Sequence, residues 1–399
     1  MDANFISDYI AKPQIITPDD GMHYFFGYYD MRASQGNRHL AHRIPFMDRL
    51  PEVLDAAELG YLEDGTFTPF ATTTAWNFQQ GAMLQYHPFL KDTVYYNVCK
   101  DGTFCTVTHN YATGEKKYTD RATACVSPDG KWGLSVNFGR IFAFRPGYGY
   151  AGCADPYANV NAPAQDGIFL TDMESGISRM LVDYPRLAEV GGFDSEQKIL
   201  VNHITFNPAS NRYVALVRNF INPVYRLWCT SVLVGDLDGN IHAVYKNTYA
   251  SHYVWVDENH LVAHCSTEPG QINEEGRWKS PEKKSMFCIN VDDSGFVEYD
   301  TPYFHEFRMG DIHCNLSPDG KYIIGDGYPQ EGYRHIVGYN RETGASRTLL
   351  KAKTVIPPDN DIRCDLHNQF VFDGKYISYD TTENGCRQIA IVPADVLNF

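Results

Sequence analysis

The segments DIHCNLSPDGKYIIGD (residues 311–326) and DLHNQFVFDGKYISYD (residues 365–380) follow one course: a histidine, alternating apolar positions, a polar turn, then a strand of β-branched and aromatic residues. NHITFNPASNRYVAL (residues 202–216) and SHYVWVDENHLVAH (residues 251–264) repeat it. In all four, a histidine stands about six residues ahead of the turn, so His203, His252, His313 and His367 hold one phase of a repeat. Histidines scattered at random would not keep register with the turns.

Working outward, the unit recurs upstream without its histidine in YYDMRASQGNRHLAHR, LQYHPFLKDTVYYNV and TACVSPDGKWGLSVN, which brings the count to seven. Each unit is followed by a second strand, turn and strand, as in SVLVGDLDGNIHAVY and HIVGYNRETGASRTLL. Two hairpin-like halves at a period of roughly 56 residues are what a four-stranded blade requires. The predicted fold is therefore all-β, a seven-bladed β-propeller formed by residues 1–399 as a single domain, with insertions near 44–58 and 139–166. No linker or composition shift divides the chain, and the last half-unit runs to its final residue, so DYIAKPQIITP is expected to supply an outer strand. Helical pattern is scarce; PEVLDAAELGYL is the best short candidate and LVDYPRLAEV a weaker one.

A formal charge of −15 speaks against nucleic acid or an anionic membrane as partner, because phosphate binding needs clustered Lys and Arg that would have to overcome this field. No run of eighteen apolar residues occurs, and the first residues lack a basic and an apolar region, so a cytoplasmic location is expected. The ten cysteines include no CxxC pair and are expected to be reduced, mostly small core residues.

Equivalent residues leading into the innermost strands of a propeller are expected to ring one axis. Imidazoles gathered there suit a first-row divalent metal or proton transfer near neutral pH. Asp365 and His367 lie two apart on an extended segment, and His313 comes from the preceding repeat; two imidazoles and a carboxylate leave open positions for a substrate oxygen. The same histidines could instead only hydrogen-bond between blades. His252 and His203, on the two repeats before, are candidates for proton abstraction. Arg218 in ALVRNF and Arg145 in RPGYGY could clamp a carboxylate, or serve as inter-blade ion pairs. Trp76 and Gln80 in TAWNFQQG could stack on and hydrogen-bond a sugar, or pack a blade edge. RPGYGYAG reads as a flexible loop. No GxSxG elbow is present.

These residues resemble the oligogalacturonate lyases, seven-bladed propeller enzymes that complete pectin breakdown by β-elimination with a manganese-type ion. SHYVWVD is similar to the family segment carrying the catalytic base, which implies that role for His252. GDIHCNLSPDGKYIIGDGYP is similar to the segment holding one metal histidine, which points to His313, and RCDLHNQF matches a His-x-His motif at its second position, His367. Asp365 replaces the first histidine of that motif, and Ile362 stands where the family has a glutamine ligand.

The reading drawn from the sequence is a metal-assisted lyase, with manganese as the expected divalent ion, acting on small uronate-containing oligosaccharides. His252 takes the proton, a tyrosine such as Tyr253 or water assists the leaving oxygen, and Arg218 or Arg145 neutralises the carboxylate. A non-catalytic carbohydrate-binding scaffold and a glycoside hydrolase on the same scaffold remain as alternatives.

Overall fold

The computed structural model describes residues 12–28, 31–194, 196–219, 228–274, 278–299, 311–329, 332–355, 357 and 359–399. The protein is a seven-bladed β-propeller: seven antiparallel sheets, each with a main path of four strands, follow one another along the chain. The strand that opens each sheet is His23–Phe25, Gln85–Tyr86, Thr123–Val126, Ile199–Phe206, Ala250–Trp255, Cys314–Leu316 and Gln369–Val371 in turn. By contact density the chain forms two compact units, one of residues 1–96, 109–115 and 299–399, the other of residues 97–108 and 116–298. Among the described residues no helix is long and apolar enough to cross a membrane.

The turns named in the sequence open the second strand of their sheets. In the sixth, Ser317 Oγ donates to Asp319 Oδ1 (2.6 Å) while accepting from Tyr322 N (2.8 Å), which fixes the SPDGKY turn and the register of Tyr322–Asp326. The sixth and seventh sheets then share a core of Ile324, Ile336, Leu350, Leu366, Ile377 and Val392. Alternation along the strands sends these side chains to one face.

Residues 14–16 complete the seventh sheet, as expected of the N-terminal stretch: Gln14 pairs with Ile391, Ile15 with Ala390, and Ile16 N donates to Ile389 O (3.0 Å). Ile15 also packs on the shared core. Removing residues 1–18 is expected to cost about 2 kcal/mol and a few degrees of Tm, because it uncovers this apolar contact and leaves an open strand edge. An unchanged thermal unfolding curve would show that the edge strand adds nothing.

Two expectations need correction. The first sheet opens at His23–Phe25, ahead of the YYDMRAS segment, where Tyr29 and Asp30 fall outside the described residues; Ser34–Gln35 forms only a short extra strand against Arg38–His39. Gly27, at φ +94°, ends that opening strand in a conformation few other residues adopt. PEVLDAAELGYL is not helical: Ala57–Glu63 is a strand between Arg38–Ile44 and Thr66–Thr73. Gly60 shows why. A Cβ there would lie 2.5 Å from Thr68 O, so the sheet closes on a position with no side chain, and pairing on both edges overrides the local helical pattern. LVDYPRLAEV does contain a helix, α1 (Tyr184–Gly191), capped by Asp183 accepting from Arg186 N and ended by Gly192 in the left-handed region.

Candidate metal centre

His313 immediately precedes the strand Cys314–Leu316, and His367 stands two residues before Gln369–Val371, so equivalent places in neighbouring sheets bring the two rings within 4.5 Å, edge to face. Asp365 joins them. One ligand atom from each of His313, Asp365 and His367 lies within 4.8 Å of the others, and all three residues are buried. Two ligands each about 2.0–2.2 Å from one ion stand at most about 4.4 Å apart, so this cluster is within a few tenths of an ångström of a metal-binding span.

The histidine carries its own orienting group. Asp326, at the end of the strand Tyr322–Asp326, accepts from His313 Nδ1 (2.7 Å) and from the His313 backbone N–H (3.1 Å) through Oδ1, and from the N–H groups of Leu366 (2.8 Å) and His367 (3.2 Å) through Oδ2. One carboxylate thus ties the residue before one sheet to the segment before the next. With Nδ1–H directed at Asp326, the neutral ring presents its lone pair at Nε2, the atom a metal needs. Burial works to lower the basicity of His313, but the charge of Asp326, then its hydrogen bond and Asp365, raise it above the ordinary imidazole value. The Leu366 and His367 N–H bonds also help hold His367 at φ +45°, an uncommon conformation for a residue with a side chain. Asp380, at the corresponding place in the seventh sheet, accepts from Phe26 N and Gly27 N (both 2.9 Å).

Asp365 is held as an anion. Burial opposes its charge, yet Arg363 and Arg334 overcome that penalty and keep the carboxyl far below its usual range. Arg334 Nη2 meets Oδ1 at 2.5 Å; Arg363 reaches Oδ1 through Nε (3.0 Å) and Oδ2 through Nη2 (2.7 Å). The Tyr328 ring lies 5.5 Å from the Arg334 guanidinium and 5.4 Å from that of Arg363. The segment carrying Arg363 is pinned in turn by Arg387, which donates to Ile362 O and Arg363 O at 2.7 Å, and by Gln79, which donates to Arg363 O at 3.0 Å. Ile362 offers only this carbonyl. The donor set of two imidazoles and a fixed carboxylate fits a first-row divalent ion such as Mn, Fe or Zn.

Asp326→Asn keeps the size and one acceptor but loses the charge that orients His313. It is expected to weaken divalent-ion affinity by roughly 10- to 100-fold. Titration calorimetry with Mn²⁺ checks it, and an unaltered affinity would mean that packing alone orients the ring.

His203, His252, Arg145 and Arg218 come together in the second compact unit. The rings of His203 and His252 lie 5.2 Å apart, and Tyr148 meets His203 edge-on at 5.7 Å. Arg145 lies over Tyr148 (4.0 Å) and Trp228 (5.1 Å) and reaches Asn202 Oδ1. Arg218 is buried, donating to Thr230 Oγ1 and Ala250 O, with Trp228 5.7 Å away.

Other expectations are not met. Trp76 is fully buried, with Phe25, Phe46 and Phe78 around it and its N–H donating to Asp55 O, so no ring face is open to a sugar. Gln80 is buried in the same turn, its backbone N–H bound to Asn77 Oδ1. Tyr253 donates to Val214 O inside a hydrophobic core and is no proton donor for a leaving group. Asp326, Arg334 and Arg363 also belong to the site, though not expected from the sequence. Asp326 had a signal, since KYIIGD and KYISYD end alike; Arg363 lies two residues before Asp365; Arg334 had none.

No family model and no curated protein matches the chain. Among solved structures, the fold is that of an oligogalacturonate lyase in complex with manganese (TM-score 0.62, 13% identity, covering 97% of each chain). It is equally like an oligogalacturonate lyase from Vibrio parahaemolyticus (TM-score 0.63, 12% identity, 97% of this chain and 94% of that one). The tricorn protease is similar at a TM-score of 0.51 and 10% identity, over 94% of this chain and 34% of that one.

Proposed function

We propose that the protein is a metal-assisted lyase that cleaves small uronate-containing oligosaccharides by β-elimination. The observation that carries this reading is the buried cluster of His313, Asp365 and His367, in which Asp326 orients the His313 ring through Nδ1. Besides its two arginines, Asp365 turns Oδ2 toward His313 Nε2 at 3.9 Å, so a carboxylate joins the two imidazoles. The likeness in fold to a lyase that holds manganese supports the same choice, with Mn²⁺ as the ion of first resort.

His313, His367 and Asp365 would hold the ion, which when bound supplies a positive charge that draws electron density from the uronate carboxylate and acidifies the C5 proton. Within the second unit Arg145 reaches Asn202 and Arg218 donates to Ala250 O, and both remain the cations proposed to bind a carboxylate. A base takes the C5 proton, the role proposed from the sequence for His252; the C5–H electron pair becomes the C4–C5 double bond as the C4–O bond breaks, and the departing oxygen takes a proton from water.

Incubating the protein and Mn²⁺ with a panel of oligouronides is expected to generate an unsaturated uronate, read by ultraviolet absorbance and mass. Saturated fragments would establish hydrolysis instead, and no cleavage with measurable binding would establish the scaffold.

A further inference from the structure

The segment between the helix Phe138–Phe144 and the strand Gly167–Asp172 was expected to be a flexible loop at RPGYGYAG; it is instead built into the second unit. Tyr150 stacks on Phe138 at 4.2 Å and accepts from Asn97 Nδ2 (3.0 Å). Arg140, fully buried, pairs with Asp155 and donates to Ile199 O. A Cβ on Gly139 would lie 2.6 Å from Cys153 O, so the chain at Cys153 rests directly on the helix. There Cys153 Sγ lies 2.8 Å from Sγ of Cys99, on the strand Thr93–Lys100. Both cysteines are partly exposed, unlike buried Cys229, Cys265, Cys314 and Cys364.

We propose that Cys99 and Cys153 are a thiol pair that closes to a disulfide by exchange with a small-molecule disulfide and thereby fixes the 145–166 segment. The sulfurs need to approach by only about 0.8 Å to reach the S–S bond length of roughly 2.05 Å, and their backbones are already held on either side. Burial, then the neighbouring Cys99, pushes the Cys153 thiol up to about 12, which makes it a poor opening nucleophile. Cys99 therefore attacks first: its thiolate displaces one small thiol and forms a mixed disulfide. Cys153 then gives up its proton, attacks Cys99 Sγ and expels the second small thiol. Two thiol hydrogens and two electrons leave the protein, and one small disulfide becomes two thiols. The bond would pin the segment whose Arg145 and Tyr148 lie against Asn202 and His203, so it couples oxidation to the histidine pair.

The test is incubation of the full-length protein with oxidised glutathione, followed by alkylation, mass analysis and a non-reducing peptide map. The free-thiol count is expected to fall from ten to eight, with one cross-linked peptide joining Cys99 to Cys153. Cys153→Ser is expected to retain a glutathione adduct on Cys99 instead. Limited proteolysis within residues 145–166 is expected to slow by roughly tenfold on oxidation and to recover with reductant. Ten thiols remaining, adducts on both cysteines without a cross-link, or a cross-link elsewhere would each overturn the assignment; an unchanged cleavage rate would overturn the coupling to the segment.

Discussion

Replacing His313 and His367 together by alanine is expected to abolish retention of a divalent ion while leaving the protein folded. Even an outer-shell partner is worth roughly 10- to 100-fold in metal affinity, so loss of two of three direct donors should cost more than about 10³-fold. The fold should survive because Asp365, the one strongly charged donor, keeps both its arginines and is not left as an unpaired buried anion. Asp326 also keeps its backbone donors at residues 313, 366 and 367. The cavities left by two imidazoles lower stability by a few kcal/mol, which the shared apolar core of the sixth and seventh sheets can absorb. Metal analysis of protein purified without chelator, with circular dichroism alongside, reads both halves. One ion per chain in the double variant would remove these histidines from the site.

The contrast between what was legible and what was not follows from the range of the interactions. Turn chemistry and strand alternation act over a few residues, so SPDGKY and FDGKY marked their strands and placed His313 and His367 in one phase. Asp365 was legible for the same reason, being two residues from His367. The groups that make the cluster usable come from farther away: Asp326 reaches forward to residues 366 and 367, and Arg334 reaches Asp365. Such pairs leave no local period. Trp76 failed for the opposite cause, because a tryptophan beside amides has the same composition in a sugar platform and in a packed blade edge, and only the three phenylalanines around it decide. Cys99 and Cys153 are 54 residues apart in the chain, with nothing in their spacing to join them.

His252→Ala is expected to lower turnover by roughly 10²- to 10⁴-fold while leaving oligouronide and metal binding nearly unchanged, the signature of a lost general base. The His203 ring lies 5.2 Å from that of His252, so the buried imidazole has a second titratable ring beside it. A base must be neutral to accept a proton, so the wild-type rate should fall on acidification, and the residual rate of the variant should lose that limb of the profile. This pH comparison separates a base from a residue that only supports the strand, since a packing defect lowers the rate at every pH alike. Full activity in the alanine variant would transfer the role to His203, whose ring contacts Tyr148 and which should then show the same loss of the acidic limb. Loss of substrate affinity with unchanged turnover would instead make His252 a binding group, and the proton would have to leave by another residue.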